Sequence, residues 1–418
     1  MVRRKILSRA ALVLLIAVFF VACDDDVLNP PDAVDALFNR YVAIGNSLTA
    51  GFQSGGINDS TQLQSYAVLL AQQFQTEFEV PLLNKPGCPP PLTNIFTQET
   101  LGGPMAPPCA ARVTPIPTRI NNVAVPGAAI IDLLSNLDPD SDPNTLTTFI
   151  LGGRTQLEAA ADAQPTFVSI AIGSNDILGA LLNTANPGDP ALVTDPAVFA
   201  TRLADLLDQL EALGTIEGGV LIGTQPVFVD ATSVSAPFFT PGAAWQQFEL
   251  FFDGQTAPLN FFDVDAACAT ALVPFPVGGP ALALANAKLD SVQTGLLNPI
   301  DLIPAALGCA DAQAITGLEL ANVLAAQAAY NAAIEAEAAA RGWAYLDPTP
   351  VFTGLAATAG AFRPFPAFDP ADPQHATQPF GFALSIDGFH WSATLHDAIA
   401  AAVITAINAE YGTSVATP

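Results

Sequence analysis

A serine in a tight turn, a histidine with a carboxylate close by, and turn amides that can hold a negative oxygen would together suffice to cleave an ester. The serine is Ser47, in Tyr41-Val42-Ala43-Ile44-Gly45-Asn46-Ser47-Leu48-Thr49-Ala50-Gly51. Four apolar residues followed by Gly-Asn-Ser read as a strand running into a turn. A serine at the carboxyl end of a parallel strand stands where α/β folds place ligands. Gly45 and Gly51 permit a tight turn and a close approach to the backbone. Taken alone, a Gly-x-Ser turn is common, and a helix cap explains the serine equally well.

A serine hydroxyl needs a base. The chain has three histidines, His375, His390 and His396. His390 ends Asp387-Gly388-Phe389-His390, just before the last helical pattern. A carboxylate three residues back can reach the imidazole, fix its tautomer and stabilise the imidazolium. Asp372-Pro373-Gln374-His375 repeats this spacing in a Pro-rich stretch with no regular element after it, which holds its imidazole less rigidly. His390 is the favoured base and His375 the rival. His396 falls on the final helix as a surface or packing residue.

Donors for a developing oxyanion could come from two further stretches. In Asn122-Val123-Ala124-Val125-Pro126-Gly127-Ala128, Gly127 could present its backbone N–H at a helix start. In Gly173-Ser174-Asn175-Asp176, Asn175 could donate its side-chain amide. Gly and Asn are ordinary turn residues. Their weight comes from position: Ser47, Gly127 and Asn175 follow three different predicted strands at one sheet edge.

In order, GNSLTAG around Ser47, AVPGA around Gly127, GSND around Asn175 and DGFH ending in His390 resemble the four blocks of the SGNH/GDSL hydrolases. They span residues 41 to 391, nearly all of the chain beyond its N-terminal segment. The resemblance implies a flavodoxin-like three-layer α/β/α sandwich with a five-stranded parallel sheet. It implies a triad of Ser47, His390 and Asp387. Its oxyanion hole would be the Ser47 and Gly127 backbone N–H groups with the Asn175 side chain. The family's usual Gly-Asp-Ser is Gly45-Asn46-Ser47 here, which keeps size and hydrogen bonding but loses a charge. Ester hydrolysis of this kind needs no metal or organic cofactor.

The elements that must position these residues are legible as short apolar runs alternating with helical patterns, as in a parallel sheet with crossover helices. The runs are Tyr41–Ile44, Val123–Val125, Phe167–Ile172, Val220–Ile222 and Trp343–Leu346. Asp195-Pro196 opens a helix, with Asp as cap and Pro in the first turn. Phe199, Leu203, Leu206, Leu210 and Leu213 give it one apolar face, and Gly214 suits its end. A second helix spans Leu318–Arg341 and stops at Gly342. A last covers Ala393–Asn408.

Residues 225–315 break the alternation. They carry nine of the 26 phenylalanines, too apolar for a disordered loop. They read as an inserted lid or subdomain beside the site, or as a packing insert. Of the five cysteines, Cys88, Cys109, Cys268 and Cys309 lack C-x-x-C spacing. Disulfides fit an oxidising compartment. Pairing Cys88 with Cys109 and Cys268 with Cys309 is the simplest of three connectivities.

The N-terminus reads as an export signal. Arg3, Arg4 and Lys5 precede an uncharged apolar run, Ala10 to Ala22. At about 1.5 Å per residue the run reaches roughly 20 Å, short of a ~30 Å hydrocarbon core. Phe20-Val21-Ala22-Cys23 resembles the lipobox of bacterial lipoproteins, which implies cleavage before Cys23 and its acylation. Residues 1–22 would be the signal, 23–39 the acylated Cys and tether, and 40–412 the hydrolase domain. A lipoprotein of the cell envelope is expected, held to the membrane by its N-terminal anchor. Loss of residues 1–22 removes four positive charges and takes the net charge from −26 to −30. So acidic a surface repels nucleic acid. The substrate is expected to be a small-molecule or lipid ester, with a lipase or carboxylesterase first. A carbohydrate O-acetyl esterase or a non-catalytic anchored binding protein are the alternatives.

Overall fold

The computed structural model describes residues 33–95, 97–227, 239–241, 245, 249, 261–298, 303–310, 314–363 and 377–418. The signal segment, Cys23, and Asp372 with His375 lie outside the described residues.

Four parallel strands form the central sheet: β1 (Tyr41–Gly45), β2 (Phe167–Ala171), β3 (Gly218–Ile222) and β4 (Ala344–Leu346), neighbours in that order. Every residue of the first three is buried, as expected for a sheet covered on both faces. Alternate side chains divide between two cores. Tyr41, Ala43, Phe167, Ala171, Val220 and Ile222 enter one. Val42, Ile44, Val168, Ile170 and Leu221 enter the other.

Among the described residues, the helices that carry or cover this sheet include α1 (Ser47–Ala50), α2 (Tyr66–Phe74), α3 (Ile130–Leu134), α4 (Gln156–Ala163), α5 (Asn175–Leu181), α6 (Pro196–Glu211), α7 (Gly317–Arg341) and α8 (Ala393–Tyr411). Leu70 and Phe74 of α2 and Ile399, Val403 and Ile407 of α8 close the first core. Ala160 of α4, Leu206 of α6 and Tyr330 of α7 close the second. The result is the three-layer α/β/α arrangement. Local signals set the ends. Asp195 accepts from the N–H groups of Ala197 and Val198 with Pro196 in the first turn of α6. Thr316 and Glu319 form a capping box on α7, and Gly342, at φ 64°, ends it. α8 runs three residues beyond the expected Asn408, because only Gly412 breaks it.

The five-stranded expectation needs correction. The run Val123–Val125 forms no regular strand; a single parallel bridge joins Asn122 to Ala43. Its backbone nevertheless follows β1. Ala43 donates to the Asn121 carbonyl, and Val123 and Val125 donate to Ala43 and Gly45. Asn122 bends the segment by accepting from Ala124 and donating to the Thr49 carbonyl, and Pro126 follows at once. Position and direction are those of an edge strand beside β1, without the ladder.

Within the described part of residues 225–315, Phe239–Pro241 pairs antiparallel with Leu272–Pro274, and Phe262–Val264 pairs parallel with Ala305–Leu307. A helix spans Phe275–Gln293. Disulfides join Cys88 to Cys109 and Cys268 to Cys309. Among the described residues, no helix is long and apolar enough to cross a membrane.

Register fixes the functional edge. Gly45 pairs with Ala171, Ala171 with Ile222, and Ile222 with Leu346. The strands therefore end level, and the loops after them leave from one rim. Leu206 is fully buried beneath this sheet. Leu206→Ala should destabilise the fold by about 2–5 kcal/mol through the cavity it leaves, read as a lower urea midpoint with an unchanged m-value.

Candidate active site

Ser47 is the first residue of α1, immediately past the end of β1. The turn between them needs Gly45: a Cβ there would collide with the Thr49 hydroxyl and the Ala171 carbonyl. Gln156, fully buried at the start of α4, grips Gly45 from both sides. Its Oε1 accepts from the Gly45 N–H at 2.9 Å and its Nε2 donates to the Gly45 carbonyl at 2.8 Å. Asn46 caps α1 by accepting from the Leu48 N–H at 3.1 Å. That bond needs an oxygen and no charge, so Asn serves where the family has Asp. Below, the Thr49 hydroxyl bonds the Tyr66 hydroxyl, and Tyr41 bonds Ser169, in a buried polar floor.

The predicted base reaches the serine. His390 Nε2 lies 3.0 Å from Ser47 Oγ, and its Nδ1 lies 2.8 Å from Asp387 Oδ2. The Phe52 ring packs against the imidazole at 4.7 Å between centroids. Asp387 is held by many donors. Oδ1 accepts from the Phe389 and His390 N–H groups, both at 2.9 Å, and from the Ser385 hydroxyl at 3.1 Å. Oδ2 also accepts from the Gly55 N–H at 2.5 Å. Burial alone would raise the carboxyl's pKa. The His390 charge and the hydrogen bonds from the ring and backbone outweigh burial and hold it far below the usual carboxylate range.

The donor loops meet as well. Asn175 opens α5, and its Nδ2 donates to the Ala128 carbonyl at 2.8 Å. Asp176 accepts from the Ile130 N–H at 3.1 Å. Asn175 and Asp176 thus fasten the turn that contains Gly127. Gly127 is exposed, at φ 88°, and lies three residues before α3 rather than at its start. Its N–H bonds no described residue. Ser47, opening α1, has no partner for its N–H inside the helix. One Asn175 amide N–H is spent on Ala128, and the other bonds no described residue. Asp176 is pushed up to about 6, chiefly by burial, against bonds from Thr194 and Ile130.

His396 is buried rather than on the surface. Its Nδ1 accepts from the Tyr66 N–H at 3.1 Å, so its proton sits on Nε2, which is buried without a described partner. Burial, then the nearby His390 charge, lowers it to about 3. It stays neutral, packed by Tyr66 and Trp391.

An arrangement of this kind can move a proton from a hydroxyl to an imidazole backed by a carboxylate, beside N–H groups able to hold an anion. Residues 41–215 match the model of the family GDSL-like Lipase/Acylhydrolase. Over those residues the chain is similar to that family of ester hydrolases. No protein of curated function matches it. Solved structures similar to it include a variant of Axe2, an acetyl xylan esterase from Geobacillus stearothermophilus, at 14% identity and TM-score 0.36, covering 90% of this chain and 96% of that one. Another is LAE5, an α/β hydrolase enzyme from the metagenome of Lake Arreo, Spain, at 14% identity and TM-score 0.37, covering 90% and 98%.

Four supporting residues of this site were not legible in the sequence. Gln156 carries no local signal beyond a polar residue at the start of a helix. Ser385 lies two residues before Asp387, and Ser54 seven after Ser47. Ser54 donates its N–H to Ser385 Oγ at 2.8 Å and accepts from the Ile386 N–H. Gln225, shortly after β3, occupies a position like those of Ser47 and Asn175, and that placement was the available clue.

The neutral His396 makes stability depend on pH. Its folded pKa is depressed, so the unfolded chain binds the proton first. Stability should be present above about 6.5 and be lost as pH falls toward about 3. The slope from this residue approaches ~1.4 kcal/mol per pH unit. Urea melts of the protein and of His396→Phe at pH 7, 6, 5 and 4 should show the variant losing less stability on acidification.

Proposed function

We propose that this serine ester hydrolase uses Ser47 as nucleophile, His390 as general base and then acid, and Asp387 to orient and stabilise the imidazolium. The contact that carries the reading is the unbroken path from Ser47 Oγ through His390 to Asp387, at 3.0 and 2.8 Å. Ser47 Oγ attacks the ester carbon as His390 Nε2 takes its proton. The carbonyl oxygen becomes anionic and is met by the N–H groups of Ser47 and Gly127 and the free N–H of Asn175. On collapse, His390 returns the proton to the leaving alcohol. Water, deprotonated by His390, then attacks the acyl-enzyme and releases the acid and Ser47.

The preferred esters carry an apolar part, consistent with the phenylalanine-rich segment 225–315. Cys23 is acylated after export and tethers the protein to the membrane of the cell envelope. The sequence features around residues 3–26 support this placement.

A fluorophosphonate probe should label the protein, and Ser47→Ala should abolish labelling. Asp387→Asn should lower kcat by about ten-thousand-fold with KM little changed. His390→Ala should lose turnover while His375→Ala keeps it; the opposite result would reassign the base. Strict preference for acetyl among p-nitrophenyl esters would favour an O-acetyl carbohydrate over an apolar ester. Labelling with radioactive palmitate should disappear in Cys23→Ser if the anchor is correctly assigned.

A further inference from the structure

The loop that carries His390 is shaped by its own hydrogen bonds. Asp387 Oδ1 accepts from the N–H groups of Phe389 and His390, and the His390 carbonyl accepts from the Ser385 N–H at 2.8 Å. Bonds within one short loop give it a shape but do not place it on the sheet. That placement needs ties to other elements. The turn at Ser54 and Gly55 supplies one. Gln225, just past the end of β3, supplies another.

The Gln225 amide spans the base. Its Nε2 donates to the Phe389 carbonyl at 3.1 Å, and its Oε1 accepts from the Trp391 indole N–H at 2.8 Å. The Phe389 carbonyl and the His390 N–H belong to one planar peptide unit, and the His390 Cα lies in the same plane. Asp387 holds the N–H and Gln225 holds the carbonyl. Holding the plane from both ends holds the point from which the imidazole reaches toward Ser47. The second bond seats the next residue. Trp391 is buried, and an indole N–H in that position needs an acceptor. A neutral amide meets both needs, whereas an ionised carboxylate would have no proton for the carbonyl.

Gln225 is itself firmly mounted. Its backbone carbonyl accepts from Gln327 Nε2 at 2.6 Å. The N–H and hydroxyl of Thr224 both donate to Asn331 Oδ1, at 2.8 and 2.9 Å. Gln327 and Asn331 stand one turn apart on α7 and so share a face. The Gly223 N–H donates to the Leu346 carbonyl at 2.9 Å, which ties the same segment to β4. Ile222 pairs with Ala171, and Ala171 with Gly45, close before Ser47. Nucleophile and base are thus both placed from one sheet rim.

Resting on the triad reading above, we infer that Gln225 is a positioning residue for the base: its amide holds the Phe389–Trp391 segment so that His390 Nε2 stays within reach of Ser47 Oγ. It acts through His390 and takes no part in the bond changes.

Gln225→Met keeps the side-chain length and removes both amide bonds. It should lower kcat by about a hundred-fold with KM changed less than about two-fold, and slow fluorophosphonate labelling in proportion. The low-field proton resonance of the His390 Nδ1–H should broaden or move in that variant. Trp391→Phe removes the second bond alone and should cost less. The double variant should fall short of the product of the two single losses by about three-fold or more. Gln327→Met loosens the mount and should lower kcat by a smaller factor. Leu206→Ala weakens the fold away from this junction and should keep wild-type kcat where it is folded. Far-UV circular dichroism and urea midpoints identify the folded variants. If Gln225→Met does not fold, Trp391→Phe and Gln327→Met decide. Wild-type kcat with an unmoved resonance in folded variants, or a rise in KM alone, would overturn the positioning role and leave the triad intact. An equal loss of kcat in Leu206→Ala would overturn it too, as an effect of stability. Wild-type protein that neither hydrolyses p-nitrophenyl acetate nor takes fluorophosphonate would instead remove the triad reading, and this role with it.

Discussion

Asp387 ties together two parts of the chain that lie more than 300 residues apart. Its carboxylate accepts from the His390 ring and from the N–H groups of Phe389 and His390. It also accepts from the Ser385 hydroxyl and from the Gly55 N–H in the turn that follows the serine's helix. A buried carboxylate is costly to ionise unless such donors surround it. Here they keep it charged and fix its direction. The same bonds set the distance between serine and imidazole, because one set of donors comes from the serine side and the other from the histidine side. Ser54 reinforces the junction by donating its N–H to the Ser385 hydroxyl and accepting from the Ile386 N–H.

The other side of the serine is held by a different device. β1 ends at an edge where the neighbouring segment bends away after only a few hydrogen bonds. Gln156 meets both polar groups of Gly45, whose carbonyl also accepts from the Val125 N–H of that segment. The serine thus follows a backbone held on both polar groups of Gly45. The donor loops are fastened the same way, with Asn175 on the Ala128 carbonyl and Asp176 on the Ile130 N–H. Each of these side chains and turns is positioned by neighbours whose own hydrogen bonds are internal.

Charge is rationed in this site. Asn46 caps the serine's helix as a neutral amide. His396, close enough to feel His390, is kept uncharged by burial. Asp387 is the charged group that directly contacts the imidazole. A second fixed charge beside it would compete for the imidazole or alter its proton affinity.

Much of this was legible in the sequence. Hydrophobic runs gave four of the strands, because strands buried on both faces must be apolar. Asp195-Pro196 and Gly342 marked helix ends because capping chemistry is local. The blocks around Ser47, Gly127, Asn175 and His390 marked the turns between which the structure shows contacts, His390 to Ser47 and Asn175 to Ala128, because a turn at a strand end has few compatible residues. Three matters needed tertiary structure. Val123–Val125 has a strand's composition, but a ladder depends on the partner's path and on Asn122. His396 read as either a surface or a packing residue, and only its place against Tyr66 and Trp391 decided for packing. Gln156 and Gln225 are unremarkable in sequence, since a side-chain amide gains its role from the backbone it meets in space. Sequence decides local conformation and which residues can react; distances between loops hundreds of residues apart depend on how the sheet brings its strand ends level.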